Sequence, residues 1–492
     1  MIDDHAIAER RLHPWSWLFV LLQQLKQFIL PLLVLFFLGR GDRNELWPLV
    51  GVGVLAAMSV WQYFTYRYAV TGDSLVVRSG LFERSLRQIP FARIHNVALH
   101  QSLLHRLFGV AEVRLESAGG QRPEAQMRVL RLSEALALER LIRHRGQLPA
   151  DADAEAAQGN ALLTMSTSEV VRLGLISNRG MVVVAGAFAL AWQVFPERTM
   201  QNAFRDAWRT VFGYASEAVA GLGGHAGGIV VLIVLALALV RLLSVLLALV
   251  QYHGFRLEAH GRRLTVTRGL LTRLRTSASK RRIQAWTLRE GVLHRLFKRR
   301  ALEVDTAVAE QQNDQRALRE LAPIATPPEC DALVRHVLPR AAWPPPAWHP
   351  LHPRAWLRLL LPWIVFALLI TAIASWHFGT WGLLGLLWIP WAAFAARQHA
   401  HRAGYALDDM LVMVREGWWS RHWRFAELDK LQALQLRRSP LDRRTGMASL
   451  WLDTAGSGAM TPPLRIRHLP EAEARALYAR IGAMVAARPL RW

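Results

Sequence analysis

Six stretches of this chain are long and apolar enough to demand a solvent other than water, and they come in pairs: Trp15–Leu38 with Leu46–Phe64, Val170–Phe195 with Gly228–Val250, and Trp356–Trp376 with Trp381–Ala396. A helix rises ~1.5 Å per residue, so roughly 20 residues cross a ~30 Å hydrocarbon core, and each stretch reaches or approaches that length. Windows such as Ile229–Val240 carry no charge, which argues for lipid over a soluble core. The expected architecture is six transmembrane helices in three pairs. Two stretches are impure: the first carries Gln23, Gln24, Lys26 and Gln27, and the fourth carries Arg241. Such groups must face another helix, a polar cavity or the headgroups rather than acyl chains. Interhelical contacts and snorkelling account for them most simply; a polar path through the helices is the alternative. The first stretch is too long, and too polar in its middle, for a cleavable signal peptide and is expected to stay as a helix.

A repeated segment lies after each pair. Leu75–Ala118 aligns without a gap onto Leu264–Ala307 at a shift of 189 residues, Gly80 falling on Gly269, Arg93-Ile94 on Arg282-Ile283, and His105-Arg106-Leu107-Phe108 on His294-Arg295-Leu296-Phe297. A third copy, Val412–Ala455, aligns at a shift of 337, with Gly417 on Gly80, Arg421 and Arg424 on Arg84 and Arg87, Lys430-Leu431 on Arg93-Ile94, Arg443 on Arg106 and Gly446 on Gly109.

Within a copy the pattern is that of strands. Leu75–Arg78 is short and β-branched, Gly80 supplies a turn, Leu81–Ile89 and Ile94–Leu99 alternate, Gln101–Phe108 has room for one or two helical turns, and Gly109 ends it before a further alternating strand at Val113, Leu115 and Ser117. Each copy closes on a helical stretch, Ser133–Arg145, Glu329–Val337 or Pro470–Val485, the first capped by Ser133. A small antiparallel sheet or barrel closed by a C-terminal helix is the natural assembly. The expected segments are 1–65 for helices one and two, 66–146 for the first β domain, 147–169 for a linker, 170–252 for helices three and four, 253–338 for the second β domain, 339–354 for a proline-rich linker, 355–398 for helices five and six, and 399–492 for the third β domain. The nine prolines of Pro323–Pro353 should make that connection semi-rigid. Leu162–Ile176 is patterned as an amphipathic helix leading into helix three.

The charge decides the orientation. Net charge is +23, yet the connection Gly39–Glu45 sums to zero, as does Pro196–Gly227. The excess lies with the N-terminus and the three β segments, and the positive-inside rule then predicts a multi-pass protein of the bacterial inner (cytoplasmic) membrane with both termini in the cytoplasm. One cysteine, Cys330, allows no intrachain disulfide and fits a reducing compartment. No P-loop lysine motif, G-x-S-x-G, H-E-x-x-H or C-x-x-C is present, so neither an enzyme nor a cofactor is expected. His399 and His401 have no nearby Cys, Asp or Glu in sequence to complete a metal site. Nucleic acid is not expected as a partner, because the tryptophans lie in or beside the apolar stretches, as interfacial belts do, rather than among the basic residues.

The glycine-led hairpin at Gly80, the I-P-x-x-R-I-x-x-V run Ile89–Val97, the Q-S-L-L-x-R-L-F-G run Gln101–Gly109 and the strand Val113–Ala118 together resemble the bacterial pleckstrin-homology (PH-like) family in its membrane-flanked form. The first copy fits best. The second has Lys298 in place of Gly109 and lacks the proline; the third replaces Ile89-Pro90 by Ala426-Glu427 and Leu107-Phe108 by Arg444-Thr445. The resemblance implies two packed antiparallel sheets plus a C-terminal helix, and a non-enzymatic role at a membrane.

Basic residues recur at equivalent hairpin positions: Arg84, Arg87 and Arg93 in copy one; Arg273, Arg275, Lys280, Arg281 and Arg282 in copy two; Arg421, Arg424 and Lys430 in copy three. Tethered near anionic headgroups, each Lys or Arg contributes about 1 kcal/mol, so these are the lipid-headgroup candidates. The function expected is a scaffold in envelope maintenance that binds membrane lipids, a second copy, or another membrane protein such as a smaller PH-like one. A transporter or export component using the helices as a path is the competing expectation, motivated by Lys26, Arg241 and the glutamines.

Overall fold

The computed structural model describes residues 10–22, 25, 47–80, 85–91, 94–117, 125–145, 160–195, 197–202, 205–206, 209–210, 225–261, 263–306, 319–455 and 463–487. Its β structure falls into four sheets, but the sheets do not follow the repeats. A four-stranded sheet runs Arg10–Arg11, Arg67–Val70, Ser74–Ser79, Ser85–Pro90. A seven-stranded sheet runs Ala125–Arg131, Val110–Ser117, Ile94–Gln101, Arg273–Ser279, Arg263–Arg268, Arg256–His260, Asn160–Thr164. A second seven-stranded sheet runs Glu320–Ala325, Arg300–Thr306, Ile283–Glu290, Arg421–Glu427, Leu411–Glu416, Gly404–Leu407, His349–Pro350. Three strands, Leu431–Arg437, Met447–Thr454 and Leu464–Pro470, complete the set. Each repeat therefore supplies a four-strand half and a three-strand half, and the three-strand half of one repeat is hydrogen-bonded to the four-strand half of the next.

The glycine hairpins form as expected. Gly80, Gly269 and Gly417 have φ of 134°, 111° and 86°, and a Cβ on Gly417 would lie 1.9 Å from the Ser420 carbonyl oxygen. The short helices Leu103–Leu107, Val292–Leu296 and Pro440–Thr445 come next in each copy. Gly109 and Gly446, just after theirs, take φ of 63° and 68°; Lys298, at the equivalent place, takes 52°. A left-handed residue with a Cβ costs about 1–2 kcal/mol. Lys298→Gly should therefore raise the stability of the second repeat by about 1 kcal/mol, measured as a shift in its urea midpoint; no shift would mean the lysine side chain offsets the strain.

The closing helices are Leu132–Arg145, Pro327–Val337 and Glu471–Ala486. Ser133 sits inside the first of these rather than capping it. Ala135, Leu138 and Ile142 of that helix join the first repeat's core with Leu75, Val77, Val97, Val113 and Leu115. Two other expectations need correction. Asn160–Thr164 is a strand, paired with Arg256–His260, and helix begins only at Thr167 behind the cap Ser166. Likewise the proline-rich connection is shorter than expected: a strand runs through Pro323, and Pro327-Pro328 open a helix, where a missing N–H costs nothing.

Among the described residues two helices are long and apolar enough to cross a membrane, Ile233–Tyr252 and Ala355–Arg402, or three if Thr167–Ile176 and Arg179–Gln193, bent by 54°, form one broken span. Six spans in three pairs is more than these residues support. Much of the first apolar stretch lies outside the described residues, and Arg179–Val194, at 16 residues, reaches only ~24 Å. Helices approach closely at glycine: a Cβ on Gly180 would lie 2.3 Å from the Val240 carbonyl, and one on Gly382 2.2 Å from the Ser375 nitrogen. The strand entering each helical region pairs with the strand leaving it, Arg10–Arg11 with Arg67–Val70, Asn160–Thr164 with Arg256–His260, and His349–Pro350 with Gly404–Leu407. The chain thus leaves and rejoins the β layer at one place in every repeat.

Candidate functional site at the repeat junctions and the helix-facing rim

Two junctions join the repeats, and they use the same positions. At the first, Gln101, His100, Leu99, Ala98 and Val97 face Arg273, Leu274, Arg275, Thr276 and Ser277. At the second, Glu290, Arg289, Leu288, Thr287 and Trp286 face Arg421, His422, Trp423, Arg424 and Phe425. Moved back by 189 and by 148 residues respectively, the second set of ten falls on the first, so the register is one register used twice.

The second junction is a core as well as a ladder. Trp286 and Phe425 stack with 2° between their planes, Trp343 lies 4.4 Å from Phe425, and Leu411, Met413, Trp423 and Phe425 of repeat three share a buried cluster with Leu288, Leu302 and Val304 of repeat two. Arg424, 2% exposed, reaches across to pair with Asp305 at 2.7 Å and donates to Thr287 Oγ1 at 3.0 Å. Arg421 lies 3.7 Å from Glu290. An arginine of the short helix also clamps the next repeat's hairpin: Arg106 donates to the Leu270 carbonyl, and Arg295 to the Trp419 carbonyl, each at 3.1 Å.

This placement redistributes the headgroup candidates. Arg424 is buried in a protein ion pair and is withdrawn from any lipid surface. Arg421 is engaged by Glu290, and Lys430 donates to the Arg281 carbonyl at 2.9 Å. Arg275 is half-buried in the ladder, and burial pushes Arg282 down to about 10. Arg87, Arg273 and Arg281 are exposed, and Lys280 is half-buried. Arg84 and Arg93 lie outside the described residues, as do Gln23, Gln24, Lys26 and Gln27.

Sequence reasoning missed an apolar rim. The short helices point leucines at solvent, Leu107 at 78% and Leu296 at 73% exposure, and the hairpin tips add Leu270, Leu271 and Trp419. Each of these features touches a helix end. Trp15 and Phe19 pack on Phe108 and His105. Arg299 grips Glu169, at the start of Thr167–Ile176, through two bonds of 2.7 and 2.8 Å. Arg358, near the start of helix Ala355–Phe378, donates to Asp442 at 2.8 Å and Ser439 at 3.1 Å. The Leu270 amide donates to the Val250 carbonyl, and Trp418 packs edge-on against Phe394. The repeated leucine pattern of the short helix was the available signal, since those side chains have no partner within a free-standing domain.

Arg241, in the apolar helix Ile233–Tyr252, donates to the carbonyls of Leu175 and Ser177 and to Asn178 Oδ1 at 3.1–3.2 Å, satisfying the groups freed where the helix bends. At the base of the same helix, Glu320 is held by Arg268 at 2.8 Å, Arg179 at 3.1 Å and the Tyr252 hydroxyl. Among the described residues no group of three or more His, Cys, Asp or Glu is placed to hold a metal.

Three segments, residues 19–146, 210–340 and 356–485, match the bacterial PH domain family, one per repeat. The chain belongs to that family. As a bacterial PH domain protein it is also 22% identical over 405 residues to the UPF0699 transmembrane protein YdbT of Bacillus subtilis (strain 168), a match covering 77% of this chain and 79% of that one. No solved structure matches it. With apolar helices long enough to cross a bilayer and a relative named as transmembrane, this is a membrane protein built on three bacterial PH domains.

The third PH domain carries a pH-sensitive tie. Burial favours the neutral form of Glu416, but His422 at 3.3 Å and Arg467 at 2.9 and 3.1 Å hold its carboxyl down at about 2. A depressed carboxylate stabilises the fold above its unfolded value near 4.5, and that contribution fades as pH falls toward 2. Acidification from pH 5 to pH 2 should cost the third domain up to about 3 kcal/mol, and Glu416→Gln should flatten that part of the pH–stability curve. An equal acid dependence in both proteins would place the sensitivity elsewhere.

Proposed function

We propose that this chain is a non-enzymatic, multi-pass scaffold of the bacterial inner membrane, with both termini in the cytoplasm and its PH domains laid along the cytoplasmic face to support the envelope. The observation that carries the reading is the rim: exposed leucines, a tryptophan and arginines, repeated beside helix ends that are themselves tied to it. Apolar side chains at that depth enter the headgroup region, and the exposed Arg273, beside the Leu270-Leu271 hairpin tip, supplies charge for anionic lipid.

Native mass spectrometry of the full chain, released from bilayers holding equal anionic and zwitterionic phospholipid, tests this. Retained lipid should be enriched in the anionic class, and the enrichment should fall in the variant Arg273→Gln. Equal retention of the two classes would remove the headgroup part of the reading.

The competing transporter reading rests on Lys26, the glutamines and Arg241; of these only Arg241 lies among the described residues, and its three acceptors favour a structural role. Arg241→Leu leaves two carbonyls and an amide oxygen without their donor, so a stability loss of about 1–3 kcal/mol is expected, read as a lower unfolding temperature in detergent. A variant as stable as the parent that nevertheless loses its cellular phenotype would favour transport.

A further inference from the structure

The junction that joins one repeat to the next needs two surfaces, and among the described residues the first and third repeats each present one of them unpaired. Ser85–Pro90 is one of the two outer strands of the first sheet, and Leu431–Arg437 one of the two of the last. Their repeat-equivalents are internal: Arg273–Ser279 and Arg421–Glu427 for the former, Ile94–Gln101 and Ile283–Glu290 for the latter. Burial divides in the same way. Thr287 is 2% exposed and Trp423 8%, whereas Leu86, at Trp423's repeat position, is 64% exposed and Gln435, at Thr287's, is exposed.

We propose that a second copy of this chain occupies these edges, its Ser85–Pro90 strand adding antiparallel to Leu431–Arg437 of the first, in the register both internal junctions use. That register sets Leu434 opposite Gln88, Gln435 opposite Arg87, Leu436 opposite Leu86 and Arg437 opposite Ser85. It also reproduces the buried ion pair: Arg87 stands at the repeat position of Arg424, and Asp453 at that of Asp305, each exposed. Arg443, the exposed equivalent of Arg106 and Arg295, is then the clamp for the next copy's hairpin carbonyls. Arg438 would meet Arg84, but Glu471 already holds Arg438 at 2.5 Å. Exposed edge strands are normally shielded by charge, proline or a covering element, and a pair of complementary ones on a single chain is a template for association. Because the two surfaces differ, the contact is head-to-tail and propagates to a ring or an open row rather than stopping at a symmetric dimer. The inference rests on the scaffold reading only in that both copies must lie in one membrane, and the test separates the two.

Cysteines are placed singly, Leu86→Cys in one full-length chain and Leu436→Cys in a second, and the two are co-expressed and oxidised in native membranes. Buried Cys330 stays in place. The intrachain pair Leu99→Cys, Arg275→Cys, adjacent in the first junction, reports on the oxidation itself. The expected result is a mixed dimer from the two chains, little product from either alone, a ladder from a chain carrying both, and a marked loss of product when Gln435→Cys, on the opposite strand face, replaces Leu436→Cys. Arg87→Glu should reduce the assembly size of the detergent-extracted protein, and adding Asp453→Arg should restore it. A crosslinked internal pair without mixed dimer, self-crosslinking of the Leu86→Cys chain alone, or adducts only to a different protein would overturn self-assembly. Membrane extraction of the same samples reads insertion separately, so soluble, uncrosslinked chain would count against the scaffold reading instead.

Discussion

Arg424→Ala should cost about 3–5 kcal/mol and open the second junction, the loss expected when a buried carboxylate is left without its cation. Asp305, like Arg424, is buried, so water cannot replace the guanidinium without entering the sheet. Hydrogen exchange would show the effect locally, as faster exchange in Ile283–Glu290 and Arg421–Glu427 with Val110–Ser117 unchanged. The double variant Arg424→Leu, Asp305→Leu should recover much of the loss, because apolar side chains of similar size can replace a buried pair. If Arg424→Ala left both strands as protected as before, the ion pair would be incidental to the junction.

Phe425→Ala is the second large effect. Phe425 is fully buried against Trp286 of repeat two and Trp343 of the connection, so truncation removes both ring contacts and leaves a cavity shared by two repeats. A loss of about 3–5 kcal/mol is expected, with repeats two and three losing protection together. Limited proteolysis coupled to mass spectrometry reads this directly: new cleavage should fall in both repeats at once. Cleavage confined to repeat three would mean that the repeats are tethered neighbours rather than one folded unit.

Much of this architecture is legible in the sequence. Three gapless copies locate the glycine hairpins and the short helices, because turn glycines and alternating strands keep their spacing when a fold is duplicated, and the apolar patterning after each copy locates its closing helix. The fusion of the sheets is not, since period-2 alternation says which face of a strand is apolar but nothing about which strand lies beside it. A faint signal exists in composition: Trp286-Thr287-Leu288 sits on an internal strand, while its third-copy counterpart Leu434-Gln435-Leu436 carries a glutamine at the middle position. Asn160–Thr164 escapes sequence reasoning for the same reason, its strand form being decided by pairing with Arg256–His260 some 95 residues on. The arginines show the limit most plainly. Arg87 and Arg424 occupy one repeat position, yet one is exposed and the other sealed in a neighbour's sheet, and only the arrangement of repeats distinguishes them.

The proposed scaffold requires all three PH domains to lie on one side of the membrane. Single cysteines on the exposed faces of the closing helices, Arg140→Cys, Arg335→Cys and Ala476→Cys, test it with an impermeant maleimide in right-side-out and inverted vesicles. The native Cys330 is fully buried and its thiol is pushed up to about 12, so it contributes no background. All three sites should react only in the inverted vesicles. Reaction of any one of them from the opposite side to the other two would contradict the shared layer.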